Sequence, residues 1–143
     1  MVTKYKVILA SGSFTVPADW NSANNKIHGI GAGTGGGNGQ LTSGSDQAGH
    51  GGAYTFASNV TLTPSGTAEA QVGVVGIPGS QAATDSWVKS TVGGSTVMLA
   101  KAATNNPSGS AGSAASCIPS GNAFSGGTGG AGTGRGGPGG GGA

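Results

Sequence analysis

Charge is what this chain has least of. Only 7% of its residues are charged, with six Lys and Arg against four Asp and Glu and a net +2, where a soluble domain ordinarily carries about 25%. The cations Lys4, Lys6, Lys26, Lys89, Lys101 and Arg135 are scattered and are not interleaved with aromatics, so no nucleic-acid footprint is expected. The carboxylates Asp19, Asp46, Glu69 and Asp85 show no spacing that favours a pair, which argues against the two-carboxylate chemistry of glycoside cleavage. A single cysteine, Cys117, excludes an intrachain disulfide or a zinc site built on thiolates and reads as a small buried thiol. No run approaches the roughly 18 apolar residues of a membrane span. The apolar part of residues 1–10 is too short for a signal peptide and reads as a first strand.

Sites for cofactors and nucleophiles are equally thin. Gly31-Ala32-Gly33-Thr34-Gly35-Gly36 fits G-x-G-x-x-G in letters only. A dinucleotide site needs a following helix and an acid about 20 residues on, whereas Gly37-Asn38-Gly39-Gln40 follows and Asp46 comes too early. His28 and His50 are the only imidazoles, and no serine stands in a G-x-S-x-G nucleophile elbow. Both histidines read as exposed or turn residues. The expectation is therefore a protein that is not an enzyme, with no cofactor and no metal. Asn59-Val60-Thr61 fits a glycosylation acceptor in letters and reads better as a strand entry.

Helical periodicity is also missing, because glycine breaks every window with i, i+3, i+4 apolar spacing. Alternation of period two recurs instead, at 4–9, 13–16, 26–30, 53–58, 60–63, 68–75, 86–88 and 95–100. Short strands separated by Gly, Pro, Asn and Ser predict an all-β fold, a small antiparallel sandwich of jelly-roll-like type. The rings of Trp20, Trp87, Tyr5, Tyr54, Phe14, Phe56 and Phe124 are expected to fill its core. A ring left at an exposed tip would stack on sugar faces, as in an adhesin.

What the chain has in excess is glycine, 33 of 143 residues, where about 7% is usual. Val, Ile, Leu and Phe together stay below about 20%, so one copy buries little apolar surface. Glycine loses the most entropy on ordering. It is used where backbones must approach closely, and peptide groups then satisfy one another. Two glycine-rich stretches, 31–52 and 104–143, are therefore expected to pack side by side as polyglycine II-like extended chains, with a loose tail as the alternative for the second. The expected organisation is a strand-rich domain over 1–103 with a glycine-rich insertion at about 31–52. Residues 104–143 form a glycine-rich segment that packs on it or extends as a tail.

The order of short motifs carries a further reading. Val7-Ile8-Leu9-Ala10-Ser11-Gly12-Ser13-Phe14-Thr15-Val16-Pro17-Ala18-Asp19-Trp20-Asn21 opens the series, followed by Lys26-Ile27-His28-Gly29-Ile30-Gly31-Ala32-Gly33. Gly51-Gly52-Ala53-Tyr54, Val60-Thr61-Leu62-Thr63-Pro64, Gln71-Val72-Gly73 and Asp85-Ser86-Trp87 come next, then glycine runs. In this order the chain resembles the glycine-rich domain of bacteriophage and prophage tail proteins. It departs from that pattern where Gln40, Leu41, Thr42, Ser43, Ser45, Asp46 and Gln47 dilute the first glycine stretch, and again at 102–115. The resemblance implies a virion component located at the tail or capsid surface, and it carries over no catalytic residues.

The leading expectation is a tail fibre or tail-tip protein that attaches to the host surface, with loops around 37–49 and 76–84 as contact tips. Asn38, Gln40, Asp46, Gln47, Gln81 and Asp85 are the candidate contact residues. Expected partners are other virion proteins and a host cell-surface polysaccharide or protein, with neither nucleic acid nor membrane. Symmetric copies, a trimer by expectation, would supply the burial that one chain lacks. The competing readings are a capsid decoration or head-fibre protein anchored through residues 1–16 and, less favoured, a polysaccharide-degrading enzyme.

Overall fold

Strands form where residues alternate between two faces, and in this chain alanine, glycine and threonine make up much of the inward set. A computed structural model describes residues 4–36, 49–77, 81–104 and 109–129. In chain order its strands are β1 (Gly12–Thr15), β2 (Lys26–Ile30), β3 (Tyr54–Ser58), β4 (Thr67–Gln71), β5 (Ser86–Lys89), β6 (Thr96–Ala100) and β7 (Ala123–Phe124). Short 3-10 turns at Ala114–Ser116 and Ser120–Asn122 precede β7. One antiparallel sheet runs β1-β4-β5-β6 and a second runs β2-β3-β7. The expected all-β body is present.

The two sheets pack through β2 and β3 against β6. Ala68, Ala70, Val88, Met98 and Ala100 supply the buried face of the first sheet, and Ala57 that of the second. Val16, Val60 and Leu62 close the cluster, with Ile8, Phe14, Trp20, Ile27 and Val97 partly buried against it. Fully burying a Val, Leu or Met side chain is worth about 1.5–3 kcal/mol; the alanines add much less. Gly29 lets the sheets close, because a Cβ there would lie 2.5 Å from Met98 Sδ. Thr55, fully buried opposite Gly29, donates its hydroxyl to the carbonyl oxygens of Pro119 (3.0 Å) and Asn122 (3.4 Å).

Each of β2, β4, β6 and β7 ends, and each of β3 and β5 begins, at the same end of the sandwich, as the antiparallel registers require. There the chain runs on as glycine- and alanine-rich segments that bond to one another through backbone alone. Gly31 N–H donates to Ala53 O, Ala53 N–H to Lys101 O, and Ala103 N–H to Ala32 O, at 2.8–2.9 Å. Gly112 N–H donates to Gly51 O (2.9 Å), Gly51 N–H to Gly127 O (2.9 Å) and Gly126 N–H to Gly112 O (3.0 Å). Gly76 N–H donates to Gly33 O at 3.0 Å, while Gly35 N–H donates to Gly76 O at 2.9 Å.

A strand has two sides and so two neighbours. Residues 49–53 bond to segments at 31–34, 101, 112 and 127, so the packing here is a lattice of chains rather than a sheet. It is tight enough to exclude side chains. A Cβ on Gly52 would sit 1.9 Å from Gly31 O, one on Gly31 2.1 Å from Lys101 O, and one on Gly126 2.1 Å from Gly51 O. Residues 109–129 thus return over the body. Cys117 within this segment is buried, its thiol accepting Lys101 N–H at 3.4 Å.

Three strand expectations need correction. Residues 4–9 form no ladder, and Tyr5, Val7 and Leu9 are 89%, 74% and 85% exposed. No strand lies beside them among the described residues, and alternation without a partner is not a strand. That arm is held by side chains. Lys6 Nζ donates to Thr15 O at 2.7 Å and Lys4 pairs with Asp19. The hydrogen bond from Lys4, then its charge, hold the Asp19 carboxyl below the usual carboxylate range. Residues 60–63 are likewise not a strand, because side chains take the backbone groups of Val60: its carbonyl accepts Trp20 Nε1 and Asn25 Nδ2, both at 3.0 Å, and its N–H donates to Asn25 Oδ1. Asn59, read as a strand entry, turns the chain at φ 55°. The strand expected over 68–75 ends at Gln71, where Val72 N–H turns to the Ser11 hydroxyl.

Candidate functional site

The outward face of β2-β3-β7 carries a row of aromatic rings. Because Gly29, Thr55 and Ala57 point inwards, the alternate positions Lys26, His28 and Ile30 on β2 and Tyr54 and Phe56 on β3 point outwards. Register places His28 opposite Phe56, Ile30 opposite Tyr54, and Tyr54 opposite Phe124. The centroids of Phe124 and Tyr54 are 6.0 Å apart, those of Tyr54 and Phe56 6.3 Å, and those of His28 and Phe56 5.8 Å, with planes tilted by 27–41°. Such offset spacings are favourable for ring pairs. Phe124 is 63% exposed and Ile30 56%, while Tyr54 and Phe56 are half-buried by their neighbours.

Polar atoms punctuate the row. His28 Nδ1 and the Tyr54 hydroxyl share a hydrogen bond of 2.7 Å that fixes both rings. The Lys26 ammonium lies 5.3 Å from the centroid of Phe56, in cation–π range. Carboxylates are absent from this face among the described residues. Asp19 pairs with Lys4, Glu69 with Lys89 (3.7 Å) and Asp85 with Lys101 (2.6 Å), which leaves Lys26 without an acidic partner among them.

Of the contact residues expected from sequence, Gln81 and Asp85 are among the described residues. Asn38, Gln40, Asp46 and Gln47 lie outside the described residues. Gln81 exchanges backbone hydrogen bonds with Ile77 at 2.7 and 2.9 Å. Asp85 lies where β5 begins beside the end of β6. Its carboxylate accepts Lys101 Nζ at 2.6 Å and Ala102 N–H at 2.7 Å, so it ties two strand ends together. No trio of His, Cys, Asp or Glu placed to hold a metal occurs among the described residues.

Lys26, His28, Tyr54, Phe56 and Phe124 were expected as core, turn or unremarkable positions. A partial signal was present: Tyr54 and Phe56 alternate with Ala53, Thr55 and Ala57, and His28 precedes Gly29, so a small inward set was available. No family model, curated protein or solved structure matches the chain.

Proposed function

We propose that this protein is a structural component of a bacteriophage virion, at the tail fibre or tail tip, and that it attaches to the host surface without catalysing a reaction. The carrying observation is the outward row of His28, Tyr54, Phe56 and Phe124 on a three-stranded sheet. Exposed contiguous apolar surface of this kind marks a place of interaction. The ordered motifs that resemble tail proteins give it a virion setting. Behind the row, Gly29, Thr55 and Ala57 seat the sheet against β6, which gives the rings a rigid mount.

The exposed arm favours a second reading, the capsid decoration protein. Tyr5, Val7 and Leu9 project from a backbone that joins no ladder, as a segment awaiting a shell protein would. One experiment separates the two. Particles released by cells that encode the chain are labelled with gold-conjugated antibody and imaged. Label at the distal tail is the expected result. Label over the head shell would select decoration, and unlabelled particles would end both readings.

A further inference from the structure

We infer that the β2-β3-β7 face is a binding site for an anionic polysaccharide, with sugar rings lying along Phe124, Tyr54 and Phe56 and an acidic substituent pairing with Lys26. The inference rests on the adhesive reading of this face, and not on where in a particle the protein sits.

The chemistry of the face selects this occupant. A pyranose ring has an apolar C–H face and a polar rim, so it suits rings interrupted by polar tips. Here the apolar surface of Phe124, Tyr54 and Phe56 is continuous, at centroid spacings of 6.0 and 6.3 Å. The Tyr54 hydroxyl and the His28 imidazole stand among the rings, already locked to one another. A site ordered before binding loses less entropy on binding. The row from Phe124 through Tyr54 to Phe56 is long in one direction, which suits a chain rather than a single sugar.

Charge supplies the specificity. Lys26 is the only charged side chain on this face among the described residues, and no described carboxylate pairs with it. An acid on the sugar would complete it with a charge-assisted bond. Single-stranded nucleic acid also stacks on aromatic rings, but it needs a basic groove that follows its backbone. One lysine at the end of a row does not provide that. The sparse charge of a uronic acid polymer or a phosphate-bearing glycan fits better.

The test uses the full chain and gel affinity electrophoresis, with alginate as the anionic probe, dextran as the neutral probe and oligo-dT as the nucleic-acid probe. Alginate should retard the protein more than dextran, and oligo-dT should not bind. Phe124→Ala should weaken the alginate interaction about tenfold, because this ring is largely solvent-facing and its loss removes stacking area more than core packing. Lys26→Gln should abolish the preference for alginate over dextran while leaving the thermal transition unchanged. The proposal is overturned by alginate retardation no greater than with dextran, by a preference that survives Lys26→Gln, or by tighter binding of oligo-dT. It is also overturned if Phe124→Ala alters sedimentation but not alginate retardation, since the face would then join copies of the chain. Glycan binding with unlabelled particles would sink the virion setting alone, and labelled tails without glycan binding would sink this inference alone.

Discussion

At Gly52 the place of a methyl group is already filled by the carbonyl oxygen of Gly31, 1.9 Å from where a Cβ would stand. Gly126 faces Gly51 O in the same way, at 2.1 Å. Both obstacles are backbone held in the hydrogen-bonded lattice, so neither can swing aside. Gly29 is different, because the obstructing atoms belong to Met98, a flexible side chain. Gly121 meets nothing within 4 Å. Gly52→Ala and Gly126→Ala should therefore each lower unfolding free energy by about 3 kcal/mol or more. Gly121→Ala should change it by less than about 1 kcal/mol, since the main effect there is reduced freedom of the unfolded chain. Denaturant titration of the three variants checks the ordering, and equal losses would mean that the lattice contacts are not what glycine is selected for.

Among the elements, β2 was readable to the residue, and β1, β3, β5 and β6 to within a residue or so at their ends, because alternation and flanking turns mark them. β7 was not readable, since Ala123 and Phe124 offer no period and their pairing with Tyr54 and Thr55 is set by the fold around them. Residues 4–9 show the converse, a clean alternation with no strand to bond. The aromatic face was half legible. Period two says that Tyr54 and Phe56 share a side but not which side is inward, and that was decided by the close approach of Met98 over Gly29. Of the glycine-rich stretches 31–52 and 104–143, residues 37–48, 105–108 and 130–143 lie outside the described residues. Within the described parts the close backbone packing was legible, though not which pass would bond to which. Their bonding can be checked element by element with amide exchange. The Gly112 and Gly126 amides, donors to Gly51 and Gly112, should be protected to a degree comparable with amides in the paired part of β3. Exchange at free-peptide rates would remove the lattice from the account.

For the whole molecule, two kinds of interior meet end to end, side-chain packing in the sandwich and peptide packing beyond it. Apolar surface raises the heat capacity of unfolding when exposed, and polar surface lowers it. A chain that buries so much peptide for so little hydrocarbon should show a heat-capacity increment per residue clearly below the usual ~12–15 cal/mol/K. Scanning calorimetry at several pH values measures it, and an ordinary increment would mean that an apolar core of normal size carries the stability.

The same close-set passes also bear on how such a protein can vary over time. A position with no room for even one carbon cannot drift by small steps, so novelty there must come as whole passes gained or lost. Gradual tuning is left to surfaces that stand free of the lattice. The ring-bearing side of β2-β3-β7 is such a surface, where exchanging one exposed side chain can alter what is grasped without disturbing what holds it up.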